Sequence, residues 1–310
     1  MYSFRTAFQA ISSARHRFAP QIERTAFAAL LVLVLCFALE AWRYPITIGD
    51  FHLSNLEIWQ LLVVGLWIVS HALRVQGEQG WRRLPRGLTA AIGLWIVVLG
   101  VSTFIAPAHR EQAFTFDTRI VRGVMLAWVT FDLTTSSERW KSMIRCLALA
   151  GIIVAVVGLA EAANIASLQD RLADMRGATI RVGELFRLSS TLSHPNIAAI
   201  VIELTLFPTL AWGLETRKRW LRVCLGAGLA VELVALVLTF SRGGLIAFLV
   251  SLVVVGIVAI YYHDRRVPRQ TIILGGAAVV TFLTAAVGLL VSSNPPIQSP
   301  IRCWPVQVYG

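Results

Sequence analysis

The sequence predicts an all-α fold, a polytopic transmembrane helical bundle of about nine spans. Three observations predict it. First, 56% of the 310 residues are hydrophobic and only 15% are charged, with a mean hydropathy of +0.69; a soluble domain carries roughly 25% charged residues. Second, the apolar residues fall into runs close to the roughly 20 residues that a helix needs to cross about 30 Å of hydrocarbon. Third, the basic residues cluster in short segments between those runs, which is how membrane topology is set. The net charge of +11 would suggest nucleic acid in a soluble chain. Here it follows the loops, so the expected surrounding is a lipid bilayer, and no nucleic-acid partner is expected.

The elements follow in chain order. A basic segment, 1–24, precedes a first span at 25–42. A signal peptide starts this way, but no small-residue cleavage site follows and more apolar runs do, so the reading is an uncleaved first span. The second and third spans lie at 56–74 and 88–106. The fourth, 119–135, is the least apolar: "TRIVRGVMLAWVTFDLT" carries Arg122 and Asp132 near its ends. A fifth span at 142–163 closes the N-terminal group of helices, 25–163, and the loop 164–195 follows. Spans at 196–214, 223–241, 244–262 and 272–291 make up the remaining membrane region, 196–291, and a tail covers 292–310.

Loop charge orients the bundle. With the N-terminus cytoplasmic, the inner segments hold most of the 28 lysines and arginines, including Arg82-Arg83, Arg217-Lys218-Arg219 and Arg265-Arg266. An excess of this kind marks the cytoplasmic side. Nine spans then put the C-terminus outside. Without the fourth span, the clusters at 74–86 and 217–222 would face opposite sides, so it is retained. The loop 164–195, outside in this topology, contains Arg171, Arg176, Arg181 and Arg187, read as solvated or in contact with lipid headgroups.

Two outer-face elements carry the candidate chemistry. In "LVLTFSRGGLIAFLV", 236–250, Arg242 stands between apolar runs, with Ser241 before it and Gly243-Gly244 after it. The glycines are expected to permit a tight reversal and to leave backbone N–H groups open at the next helix start, which favours anions. Arg242 adds a forked donor suited to phosphate; the plainer reading is an arginine that reaches to headgroups. The second element is "FRLSSTLSHPNIAAIVIEL", 186–204. Pro195 suits the first turn of a helix. Ser193, His194 and Asn196 are polar groups at the water boundary, and Arg187 lies just upstream.

Further polar and aromatic residues stand beside these. Glu40 and Glu161 lie near outer span ends and are expected to reach water. Glu203 and Glu232 fall about 10 and 15 Å deep at 1.5 Å per residue, and intramembrane acids are functional candidates. They read as a hydrogen-bonded structural pair between helices, with a polar interior behind the site or a proton path as the alternatives. The four cysteines show no CxxC spacing, so neither a disulfide framework nor a zinc site is expected. His52 and His109 have no second ligand at metal-binding spacing. No metal and no cofactor is expected. The tryptophans, including Trp42, Trp81, Trp212 and Trp220, read as an interfacial belt.

Taken together, "FRLSSTLSHPNIAAIV", the basic turn "ETRKRWLR" and "LTFSRGGLIAFLV" resemble the O-antigen ligase and O-antigen polymerase family. The matching part covers roughly 185–262. The resemblance implies about a dozen transmembrane helices and a large periplasmic loop near the C-terminal end, in the bacterial inner membrane. It implies a metal-independent, inverting glycosyltransferase of lipopolysaccharide and cell-envelope biosynthesis. Such an enzyme takes a glycan from an undecaprenyl-pyrophosphate carrier and passes it to an acceptor: lipid A core, another glycan or sometimes a protein. It assigns pyrophosphate binding to Arg242 and Arg187, with Ser241, Gly243, His194 and Asn196 as supporting outer-face groups. His194 is not the family's loop histidine, so no catalytic residue is assigned. A full member continues past the ninth span with the long outer loop, so this chain is expected to be an incomplete member that inserts but does not catalyse. The competing readings are a transporter of a small anion and a non-catalytic scaffold. No internal repeat or paired helix breaks of the transporter kind are visible.

Overall fold

The structure is a computed structural model that describes residues 2–39, 46–48, 51–53, 55–73, 84–105, 110–176, 181–182 and 185–262. The regular elements of the described residues are helices and two short antiparallel strand pairs: β1 (Ile46–Ile48) with β2 (Phe51–Leu53), and β3 (Arg181–Val182) with β4 (Leu185–Phe186). The helices are α1 (Tyr2–Phe37), α2 (Asn55–Leu73), α3 (Arg86–Ile105), α4 (Arg110–Leu133), α5 (Ser137–Ala162), α6 (Leu168–Arg176), α7 (Pro195–Glu215), α8 (Arg219–Leu238) and α9 (Arg242–Tyr262). A single 3-10 turn, Ile165–Ser167, joins α5 to α6.

Among the described residues, six helices are long and apolar enough to cross a membrane: Phe18–Phe37 within α1, Leu56–Leu73 within α2, then α3, α5, α7 and α8. The helical, multi-pass reading therefore holds, and these six helices correspond to six of the nine predicted spans. The fourth predicted span is the C-terminal part of α4, a longer helix that starts at Arg110 and carries Glu111, Asp117 and Arg119 in its first half, with Arg122 just past its midpoint. That half is too polar for hydrocarbon. The eighth corresponds to α9, which runs 21 residues from Arg242 to Tyr262 and is apolar after its first turn. The ninth, 272–291, and the tail lie outside the described residues.

Two cores organise the bundle. One joins α1, α2, α4 and α5 through Leu30, Leu33, Val63, Trp67, Val129 and Leu133. The other joins α5, α7, α8 and α9 through Val154, Ile202, Leu206, Leu236, Leu245 and Phe248. Small residues set the close approaches in the second core. A β-carbon on Gly228 would come within 2.8 Å of Ile152, and one on Gly158 within 2.6 Å of Leu188. Interfaces between membrane helices favour small residues because packing, rather than water exclusion, drives their association.

Ion pairs fix which helix ends share a side. Arg139 pairs with Glu23 and Lys141 with Glu215. The starts of α5 and α8 and the end of α7 therefore lie at one face. The far end of α5 lies at the other, with α6, the 187–194 loop, the start of α7 and the turn into α9.

Candidate functional site

The site is built where two polar connections meet at that second face. The chain from β4 to α7 runs through Arg187, Leu188, Ser189, Ser190, Thr191 and Leu192, and the last five of these are buried. Buried loop backbone must find hydrogen bonds, and this segment finds them in the helices around it. Leu188 N–H donates to Leu238 O at 3.0 Å. Ser190 Oγ donates to Val154 O at 2.6 Å, and Thr191 Oγ1 to Ala38 O.

Arg187 joins the two predicted elements. Its Nε donates to Thr239 O at 3.0 Å, and its Nη2 to Asn196 Oδ1 at 3.1 Å and to Phe240 O at 3.4 Å. Partial burial draws its guanidinium below the ordinary arginine value, although arginine stays charged in proteins. The side chain therefore clamps the end of α8 to the start of α7, and its Nη1 edge has no hydrogen bond among the described residues. Arg242 is different. It is exposed at the first position of α9 and has no hydrogen bond or ion pair among the described residues.

Both helix starts are capped by side chains of their own segments. His194 is the N-cap of α7, with Nδ1 accepting from Asn196 N–H at 3.1 Å, and Pro195 fills the first turn. Ser241 Oγ accepts from Gly244 N–H at 3.2 Å, while Leu245 N–H donates to Ser241 O at 3.0 Å. Two expectations about the glycines are corrected here. The reversal between α8 and α9 uses a left-handed residue that is not glycine: Phe240 has φ 50°. Gly244 serves packing, since a β-carbon there would stand 2.7 Å from Ala199 Cβ. Its N–H is occupied by Ser241, so it is not open to an anion. Gly243 is exposed, with nothing within 4 Å of a β-carbon position.

Glu161 does not reach water. It is fully buried and pairs with Arg176 of α6, whose side chain is 4% exposed. Glu161 Oε2 also accepts from Ser190 N–H at 2.7 Å, and Arg176 Nη1 donates to Ser190 O at 3.2 Å. The helix α6 folds back over the end of α5 and supplies the partner, which reading Glu161 by its depth alone misses. A carboxylate at a span end followed by an arginine-containing polar segment was the available signal. Within the predicted loop 164–195, the described residues include the helix α6, and Arg176 is neither solvated nor at a headgroup.

The two deep acids do not pair with each other. Glu203 Oε1 accepts from Ser251 Oγ on α9 at 3.0 Å. Glu232 is fully buried where α5, α7 and α8 meet, against Gly151, Thr205 and Thr209. The Thr205 hydroxyl donates to Val201 O and Ile202 O, and that of Thr209 to Thr205 O. Neither oxygen of Glu232 receives a well-formed hydrogen bond.

A further polar cluster that the sequence reading passed over lies in the other core, at the opposite face. Asp132 Oδ2 accepts from Trp67 Nε1 at 2.9 Å and stands 3.1 Å from His71 Nε2. Trp67 is thus a core residue and does not belong to an interfacial belt. A cleft of about 830 Å³ opens between α3 and α4, lined by Leu99, Thr103, Phe104, Phe114 and Asp117 among others; none of the predicted site residues lines it. No protein-family model, curated protein or solved structure matches the chain.

Proposed function

We propose that the chain is a membrane glycosyltransferase-like protein of the O-antigen ligase and polymerase type. It binds the pyrophosphate of an undecaprenyl-linked glycan donor at the periplasmic face of the bacterial inner membrane. The N-terminus is cytoplasmic in this reading, and the acceptor is a glycan or lipid A core. The observation that carries it is the clamp made by Arg187. This one side chain ties the "PN" helix start to the turn of "TFSRG", so motifs about fifty residues apart form one outer-face cluster beside the exposed Arg242.

The chemistry asks for such an arrangement. In glycan transfer, an acceptor hydroxyl oxygen bonds to the anomeric carbon and gives up its proton to a base or to water, while the bond from that carbon to the pyrophosphate oxygen breaks. The leaving group departs with the electron pair. Fixed cations that neutralise this charge ease its departure, and arginine does so without exchanging a proton. Arg242 supplies the accessible fork, and the remaining edge of Arg187 the second contact. Two non-glycine residues in the left-handed region, Ser190 (φ 56°) and Phe240 (φ 50°), lie in the two connections that build the cluster. Such conformations persist where the surroundings over-determine them, often at functional sites.

The test is titration of purified protein in detergent with undecaprenyl pyrophosphate. Arg242→Lys keeps the charge but loses the fork. Hydrogen bonds to charged groups contribute about 1.5–3 kcal/mol, so a tenfold to hundredfold loss of affinity is expected. Arg171→Ala, on the exposed side of α6, should bind as wild type. Wild-type binding by Arg242→Ala would leave Arg242 as an interfacial arginine in contact with headgroups, and the reading would fall.

A further inference from the structure

We infer that Glu161 and Arg176 are positioning residues for this site: as a buried pair, they hold the 187–194 loop in the conformation that presents Arg187 to the turn before α9. The ligand in this inference rests on the pyrophosphate reading above; the positioning itself rests on bond geometry.

Ser190 is the residue they hold. It has φ 56°, a conformation that residues with a β-carbon seldom adopt. Each of its polar groups is tied to a helix. The N–H goes to Glu161 Oε2, the carbonyl accepts from Arg176 Nη1, and the hydroxyl donates to Val154 O. Arg176 is spent as completely, with Nη2 on Glu161 Oε1 and Nε on Leu172 O. The pair thus grips both sides of one strained residue, three positions after Arg187. Arg187 makes its own bonds to α7 and α8 only if the loop enters at that angle.

The choice of residues supports a role in specifying geometry. A buried ion pair is a poor device for stability alone, because apolar side chains of similar volume often do as well or better. What the fork of Arg176 supplies and an apolar contact does not is a direction for the Ser190 carbonyl. The carboxylate does the same for the Ser190 N–H.

Arg176→Lys is the informative variant. It leaves a positive charge beside Glu161 but cannot bridge Glu161, Ser190 O and Leu172 O with a planar fork. Hydrogen exchange over the 187–194 peptides is measured with no ligand, the thermal midpoint is measured on the same sample, and affinity is measured with undecaprenyl pyrophosphate. The expected result is faster exchange at 187–194, a midpoint near that of wild type, and affinity lower by roughly tenfold, as when the binding-competent loop falls to about a tenth of the population. Glu161→Gln, which retains an acceptor for Ser190 N–H but leaves the buried Arg176 charge uncompensated, should also speed exchange and weaken binding, with a lowered midpoint, and it is measured well below that midpoint if the lysine variant is poorly folded. Arg171→Ala should change none of the three. Unchanged exchange at 187–194 in both variants overturns the inference, as does an opened loop that binds the probe as wild type does. If the wild type itself fails to bind the probe, the pyrophosphate reading fails, and exchange alone then decides whether the pair positions the loop.

Discussion

At position 244 a methyl group has nowhere to go. The β-carbon of Gly244→Ala would lie 2.7 Å from Ala199 Cβ, across the contact between α7 and α9. Both helices must move apart, and overpacking of this kind costs about 1–3 kcal/mol. Its neighbour is a natural control. Gly243 has nothing within 4 Å and no left-handed φ, so Gly243→Ala should be neutral or stabilising by up to about 1 kcal/mol, the usual gain from removing glycine inside a helix. Thermal unfolding of the two variants in the same detergent checks the pair, and equal loss at both positions would show that the glycines act through the turn instead. The same logic applies deeper in the bundle, where a β-carbon on Gly151 would collide with Thr205 and Glu232. Gly151→Ala should therefore lower the melting midpoint more than Gly226→Ala, since Gly226 has no neighbour within 4 Å. Sequence shows that a glycine is tolerated; only the neighbours show whether conformation or space requires it. Pro195 was more legible, because its place in a first helical turn depends on its own backbone, whereas the capping roles of His194 and Ser241 emerge only from the fold.

An element's sequence reports its own preferences but not what folds over it. The apolar runs of α3, α5, α7 and α8 were legible because hydrophobic length is a local property. The polar helix α6, LQDRLADMR, gives no span signal, yet it decides the state of Glu161 by placing Arg176 over the end of α5. For the same reason α4 was only half read: its C-terminal half packs Val129 and Leu133 into a core, while its N-terminal half is charged. The energetic consequence of α6 is testable. Arg176→Met leaves Glu161 buried and unpaired, and breaking a buried ion pair in this way costs about 3–5 kcal/mol. That is a large share of the roughly 5–15 kcal/mol by which folded proteins are stable. Adding Glu161→Gln to Arg176→Met removes the orphaned charge and should recover much of the loss. Melting midpoints of the single and double variants measure this directly; a double variant no more stable than Arg176→Met would mean that the charge of Glu161 is compensated from elsewhere.

At the scale of the whole molecule, charge divides the bundle into two ends. Glu23, Arg139, Lys141 and Glu215 meet at one end, next to the basic turn Arg217-Lys218-Arg219. Glu161, Arg176, Arg187 and Arg242 occupy the other. The helices α7 and α8 span the distance between these ends, with 21 and 20 residues and no charged side chain between Glu203 and Glu215 or between Arg222 and Glu232. Their relative sides follow from helix length, and the basic turn gives the expected absolute side, because lysine and arginine in short loops tend to be retained in the cytoplasm. Single cysteines in a background lacking the native ones convert this into a measurement. Cysteine at Arg217 should react with a membrane-impermeant maleimide only after bacterial spheroplasts are permeabilised. Cysteines at Arg171 and Gly243, both exposed, should react in intact spheroplasts. Labelling of 217 and 243 from the same side would mean that α8 does not cross, and the clamp made by Arg187 would then lie in a different setting. Labelling of 217 from outside and of 171 and 243 from inside would keep the bundle but invert it. The arginine cluster would then face the cytoplasm, where a carrier already translocated to the periplasm is out of reach, and the glycan-transfer reading would be lost while the fold stood.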